Sequence, residues 1–192
     1  MDNQILQTFY NRMMPLYTPQ AEKFLDTAEV SKFSQISFRY TFSVEAMTKI
    51  SRIIENAAIS NPGIANVHVS FQQMSRVLPQ KEQYRDVSKA ANGLWLYGEL
   101  DTLEQDLSFL TKTTLVDTAN SLLTDYWFVV AYGPGVGMAL LAEEVSALDG
   151  KDRYYEGFYT FEQDVAYQII AILHQIYPQQ VPAPTAPELL GN

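Results

Sequence analysis

Apolar positions recur along this chain with two different periods, and the switching between them predicts the order of its elements. Ser34 to Phe42 is rich in β-branched and aromatic residues and reads as a strand. Ser43 can cap a helix, and Val44, Met47, Ile50, Ile54 and Ala57 then fall at helical spacing. After the turn signal Asn61-Pro62-Gly63, Val67, Val69 and Phe71 alternate with Asn66, His68 and Ser70, so one face of that strand is polar or lines a site. Pro79 opens a helix through Tyr84, Val87 and Ala91, and Leu94-Trp95-Leu96-Tyr97 follows as a buried strand ended by Gly98. Asp101 with Glu104 has the spacing of a capping box for a short helix through Leu107 and Leu110, and Thr113 to Val116 reads as one more strand.

The stretch from Tyr126 to Tyr177 has the clearest order. Tyr126 to Tyr132 is a continuous apolar and aromatic run, as expected of a central strand covered on both faces. The chain turns through Gly133-Pro134-Gly135-Val136-Gly137 and continues into Met138 to Val145, a run of strong helix formers. Arg153 to Tyr159 is a second aromatic strand, and Thr160 to Gln163 has the spacing of a capping box. From there Phe161, Val165, Ile169, Leu173 and Ile176 form one apolar helical stripe. Strands alternating with helices predict βαβ crossovers, hence an α/β fold: a single domain with a mostly parallel central sheet flanked by helices.

Around this unit lie two flanking segments. Met1 to Met14 carries Ile5, Leu6, Phe9, Met13 and Met14 on one helical face, and Pro15 ends it. Thr18-Pro19 then suggests a second helix with Ala21, Phe24, Leu25 and Ala28. Residues 1–30 are thus expected to be a helical pair that either docks on its own chain or joins two chains into a homo-oligomer. Residues 31–177 form the α/β domain, and 178–192, with Pro182, Pro184 and Pro187, read as a flexible tail.

Charge and composition narrow the chemistry. A net charge of −9 with only 13 basic residues argues against direct binding of nucleic acid. The chain has no cysteine, which excludes disulfides, thiol nucleophiles and thiolate metal sites. No apolar run is long enough to span a membrane, and the first residues do not resemble a leader, so a cytoplasmic protein is expected.

The candidate sites are few. Gly133, Gly135 and Gly137, between a strand and an expected helix, place backbone N–H groups where an anion could bind; the spacing matches neither the dinucleotide fingerprint nor a P-loop, and a tight turn that uses glycine for unusual dihedrals and close approach is the favoured explanation. His68 and His174 are the only histidines and lack metal-ligand spacing, and no Gly-x-Ser-x-Gly elbow is present. Glu156 stands among Tyr154, Tyr155 and Phe158 and needs a partner if buried, with Arg39, Arg52 and Arg76 as candidates. The candidate ligand or partner site is therefore Gly133, Gly135, Gly137, Arg52, His68, Arg76 and Glu156, with no catalytic residue, metal or cofactor expected.

Several segments together resemble one family. Ile50-Ser51-Arg52-Ile53-Ile54-Glu55 is similar to the Ser-Arg-x-Ile-Glu helix of DICT sensory domains, which accompany diguanylate cyclases and two-component systems in bacteria. Ser70 to Pro79 with Tyr84-Arg85, Trp127 to Val130, and Tyr155 to Phe161 resemble further blocks of that family, over about residues 36 to 176. The resemblance implies a non-enzymatic sensory or adaptor domain in bacterial signalling, including cyclic-di-GMP and light responses, with a signalling protein as partner. Two other readings stand beside it: a small-molecule receptor using the pocket at the strand carboxyl ends, and a degenerate NTP-binding protein.

Overall fold

The computed structural model describes residues 3–146 and 152–191; the first two positions of the expected N-terminal helix lie outside them. Among the described residues eight strands form one sheet: β1 (Thr18–Pro19), β2 (Phe38–Ser43), β3 (Asn66–Gln73), β4 (Gly93–Glu99), β5 (Thr113–Asp117), β6 (Tyr126–Gly133), β7 (Val136–Ser146) and β8 (Arg153–Thr160). Their spatial order is β1-β2-β8-β7-β6-β3-β4-β5. The helices are α1 (Asn3–Met13), α2 (Lys23–Thr27), α3 (Val44–Ser60), α4 (Lys81–Ala90) and α5 (Gln163–Ile176).

The expectation of a mostly parallel sheet is overturned. The pairs β2–β8, β8–β7, β7–β6 and β6–β3 are antiparallel, while β1–β2, β3–β4 and β4–β5 run parallel. The reason lies in residues 136–146, which form a strand rather than a helix. Leu140 and Ala142 are buried toward one helical layer while Ala139 and Leu141 are buried toward the other. A strand covered on both faces shows no period-2 pattern, so its apolar run looks the same as that of a buried helix. Tertiary burial then outweighs the modest helix preference of Ala, Leu, Met and Glu. Pro134 and Gly135 connect β6 to β7 in a two-residue hairpin in which Gly133 faces Val136 and Gly135 has φ +68°. Proline first and a left-handed glycine second is the composition of a type II turn.

Each sheet face carries its own core. Against one pack Met47, Ile50 and Ile54 of α3 and Tyr84 and Val87 of α4; the Ser43 hydroxyl caps α3 by accepting from Ala46 N at 3.3 Å. Against the other pack Leu6, Phe9, Tyr10 and Met13 of α1 and Val165, Ile169 and Leu173 of α5. The α1 stripe is thus covered by its own sheet, and Tyr10 donates to the Glu156 carbonyl at 2.7 Å. The expected helix at Thr18-Pro19 is instead a short edge strand on β2, with α2 beginning at Lys23. The Thr160 hydroxyl accepts from Glu162 N at 3.1 Å, but α5 starts two residues later than a capping box would place it, with Glu162 at the N-cap, and the Gln163 amide donates to the Gly133 carbonyl at 2.9 Å. The proline-containing end lies along the α5 face: Val181 is buried, Trp95 Nε1 donates to Gln180 O at 3.0 Å, and Tyr132 donates to Thr185 O at 2.5 Å. Among the described residues no helix is long and apolar enough to cross a membrane.

Candidate functional site

Near its carboxyl end β3 departs from ideal pairing. Its register against β4 slips between Ser70 and Gln72, and Gln72 has φ +62°, a conformation that a non-glycine residue adopts only when its surroundings enforce it. Those surroundings are hydrogen bonds. Gln72 Nε2 donates to Thr124 O at 2.8 Å and to Glu144 Oε2 at 2.9 Å, while its Oε1 accepts from Arg76 Nη1. The Tyr155 hydroxyl lies 3.1 Å from both Gln72 Oε1 and Glu144 Oε2. Burial, with the Glu144 charge adding to it and Arg153 and Arg76 opposing, pushes the Tyr155 pKa up to about 12, so the phenol remains a donor. Arg153, at the start of β8, holds Nη1 3.8 Å from Glu144 Oε2.

The facing wall comes from α3. Glu55 is only 1% exposed, and its carboxylate is filled with donors: Arg52 Nη1 at 2.7 Å, the Tyr84 hydroxyl at 2.5 Å and Gln83 Nε2 at 2.9 Å. A buried carboxylate is tolerated only with such a set, and this one ties α3 to α4. Arg52 also donates from Nη2 to Gln80 Oε1 at 2.9 Å, and both residues line one cavity. One position earlier, Ser51 donates to the Met47 carbonyl and accepts from Trp127 Nε1 at 3.1 Å, which fixes the indole against Tyr155, edge to face at 5.2 Å.

Between these walls lies a cavity of about 370 Å³. Arg52, Arg76 and Arg153, three of the six arginines in an acidic chain, line it with Gln72, Gln80, Thr48 and Ser70; Trp127, Phe71, Val44 and Pro79 supply its apolar surface.

Of the residues singled out from sequence, the structure brings Arg52 and Arg76 together here and leaves the others elsewhere. His68 is buried on the opposite sheet face, stacked on Trp95 with centroids 4.5 Å apart and 2.9 Å from the Tyr97 hydroxyl through Nδ1. Burial pushes its pKa down to about 3, so it is neutral at ordinary pH. Glu156 is exposed, opposite Thr41 and Glu143 in register and near Arg39, without an ion pair among the described residues. Gly133, Gly135 and Gly137 belong to the β6–β7 hairpin; with no helix beginning after them, the helix-dipole argument for an anion falls away. A Cβ on Gly133 would stand 2.2 Å from the Ile64 carbonyl oxygen, and one on Gly137 2.4 Å from Gln163 Cα, so both glycines serve close backbone approach. Sequence reasoning missed Gln72, Trp127 and Arg153 as site residues. Trp127 was legible only as core, and Arg153 reaches the cavity through a hairpin that the helix-like run of β7 concealed.

Residues 26–145 match the model of DICT, the sensory domain in diguanylate cyclases and two-component systems. The chain belongs to the DICT family. The matched DICT segment runs from α2 to the end of β7 and contains Arg52, Gln72, Arg76 and Trp127. Arg153 and the block from Tyr155 to Phe161 lie beyond it. No curated protein matches the chain.

Proposed function

We propose that this DICT domain is a non-enzymatic, cytoplasmic sensory module whose input is a small molecule held in the arginine-lined cavity and whose output passes by contact to a signalling protein. The observation that carries this reading is the cavity itself. Its volume lies in the range of small-molecule sites, its walls mix apolar surface with a few fixed polar groups, and the strained Gln72 is one of its lining residues. The polar lining supplies guanidinium, amide and hydroxyl groups rather than a nucleophile with a base beside it, and both histidines lie elsewhere. This favours the receptor reading over an adaptor that acts through its surface alone.

Native mass spectrometry of the gently purified protein tests it. A small molecule should copurify, and Thr48→Trp, which places an indole in the cavity from the half-buried face of α3, should remove it while circular dichroism stays unchanged. A protein partner that copurifies without any small molecule and is retained by Thr48→Trp would overturn the receptor reading in favour of an adaptor.

A further inference from the structure

The unused hydrogen-bonding capacity of the cavity specifies what enters it. Trp127 gives its indole N–H to Ser51, so it offers the cavity only carbon. Ser70 donates to Tyr126 O at 2.8 Å and accepts from Phe128 N at 2.9 Å, leaving little for a ligand. Gln72 has both amide hydrogens engaged and its oxygen taken by Arg76, and Gln80 Oε1 is taken by Arg52. What remains is chiefly donor. Each guanidinium has five N–H groups, and Arg76 has no carboxylate at ion-pair distance among the described residues. Arg153 stands 3.8 Å from Glu144, beyond hydrogen-bond range, and its side chain is 40% exposed. The nearby carboxylates Glu55 and Glu144 are not part of the lining and are already bonded, Glu55 to Arg52, Tyr84 and Gln83 and Glu144 to Gln72 and Tyr155. The lining of the cavity thus holds three guanidiniums and no carboxylate in a chain of net charge −9, and Asp101, whose charge also acts on Arg76, is exposed and held by Ser75 outside that lining.

We infer that the ligand, on the cavity reading above, is a small organic acid. Its carboxylate or phosphate group sits between Arg76 and Arg153, and its flat apolar body lies against Trp127. A bidentate anion satisfies a planar guanidinium in the geometry that group prefers, and the remaining surface of Trp127, Phe71, Val44 and Pro79 rewards a ring or conjugated chain over a bare ion.

Calorimetry with the full chain and three probes that share one ring tests the inference: 2-naphthoate, 2-naphthyl phosphate and the neutral 2-naphthamide. At least one acid should bind about tenfold or more tightly than the amide, as expected when charge-assisted hydrogen bonds are lost. The tighter acid tells whether a carboxylate or a phosphate is preferred. Arg76→Gln should weaken the acid by about tenfold and leave the amide unchanged, Arg76→Lys should restore part of the loss, and Arg153→Gln, at a partly exposed position, should weaken the acid without a change in melting temperature. Binding of the amide as tight as the acids, insensitive to Arg76→Gln yet lost in Thr48→Trp, would overturn the anion assignment while the cavity reading survives. No binding by any probe to the millimolar range would overturn both.

Discussion

Glu55 offers the sharpest test of how the site is held. In Glu55→Gln the side chain keeps its shape and can still accept from Tyr84, but an amide NH₂ now meets the Arg52 guanidinium or the Gln83 amide, both of which donate to the carboxylate in the native protein. Breaking a fully buried ion pair by removing one partner costs about 3–5 kcal/mol. Arg52, however, has a side chain 29% exposed and can turn toward water, so the cost falls below that of a fully buried pair, and we expect a loss of about 2–3 kcal/mol. That is a large part of the roughly 5–15 kcal/mol of a domain this size. Arg52→Gln should cost less, about 1–2 kcal/mol, because Glu55 keeps Tyr84 and Gln83. Urea unfolding followed by circular dichroism reads both as shifts in midpoint at constant slope. The double variant should lose less than the sum of the two by about 1 kcal/mol or more, since the two residues share one bond. Strict additivity, or a Glu55→Gln midpoint equal to that of the native protein, would refute the claim that this network fastens α3 to α4.

Other predictions follow from the same packing. Gly133→Ala should destabilise by about 2–3 kcal/mol, because a fixed backbone oxygen stands 2.2 Å from the new Cβ, whereas Gly135→Ala meets open space and only the strain of φ +68°, about 1–2 kcal/mol; the opposite order in urea would refute the packing role. His68 is neutral in the folded state and becomes charged on unfolding below pH 6.5, so its contribution is fully present above 6.5 and is lost as pH falls toward about 3, at about 1.4 kcal/mol per unit. His68→Phe should flatten the stability curve between pH 6.5 and 5, and curves parallel to the native protein's would refute this. Deleting the chain up to Val30 should abolish cooperative melting rather than alter assembly alone. It removes Leu6, Phe9, Tyr10, Met13, Met14 and Tyr17 from the second core, at about 1.5–3 kcal/mol each. A truncated protein with a sharp thermal transition would show that α1 is dispensable.

Much of the chain was legible because local signals agreed with the final packing. Ser43 does cap α3, the alternation around Val67 and Val69 does mark β3, and the aromatic run from Arg153 is β8. The Ser51-Arg52-Ile53-Ile54-Glu55 segment pointed to the family that the chain belongs to, and its polar members prove to be the ties that orient Trp127 and α4. The site was only partly visible. Arg52 and Arg76 belong to the candidate ligand or partner site expected from sequence, but there they stand with Glu156, which the structure leaves exposed on the other sheet face.

By itself the sequence determined the class of the fold, the position of most strands and helices, and the absence of thiol chemistry, since each depends on residue type and on periods of a few residues. Strand direction and the cavity were decided only in three dimensions. Whether Met138 to Val145 coils or extends turns on what covers it, and β6 and the facing helices cover both of its sides, so burial rather than propensity chose the strand. That single choice reverses the sheet from parallel to antiparallel across its centre and carries Arg153 back to the end of β3, beside Arg76 and Arg52, from which no spacing in the sequence could have shown it to be near.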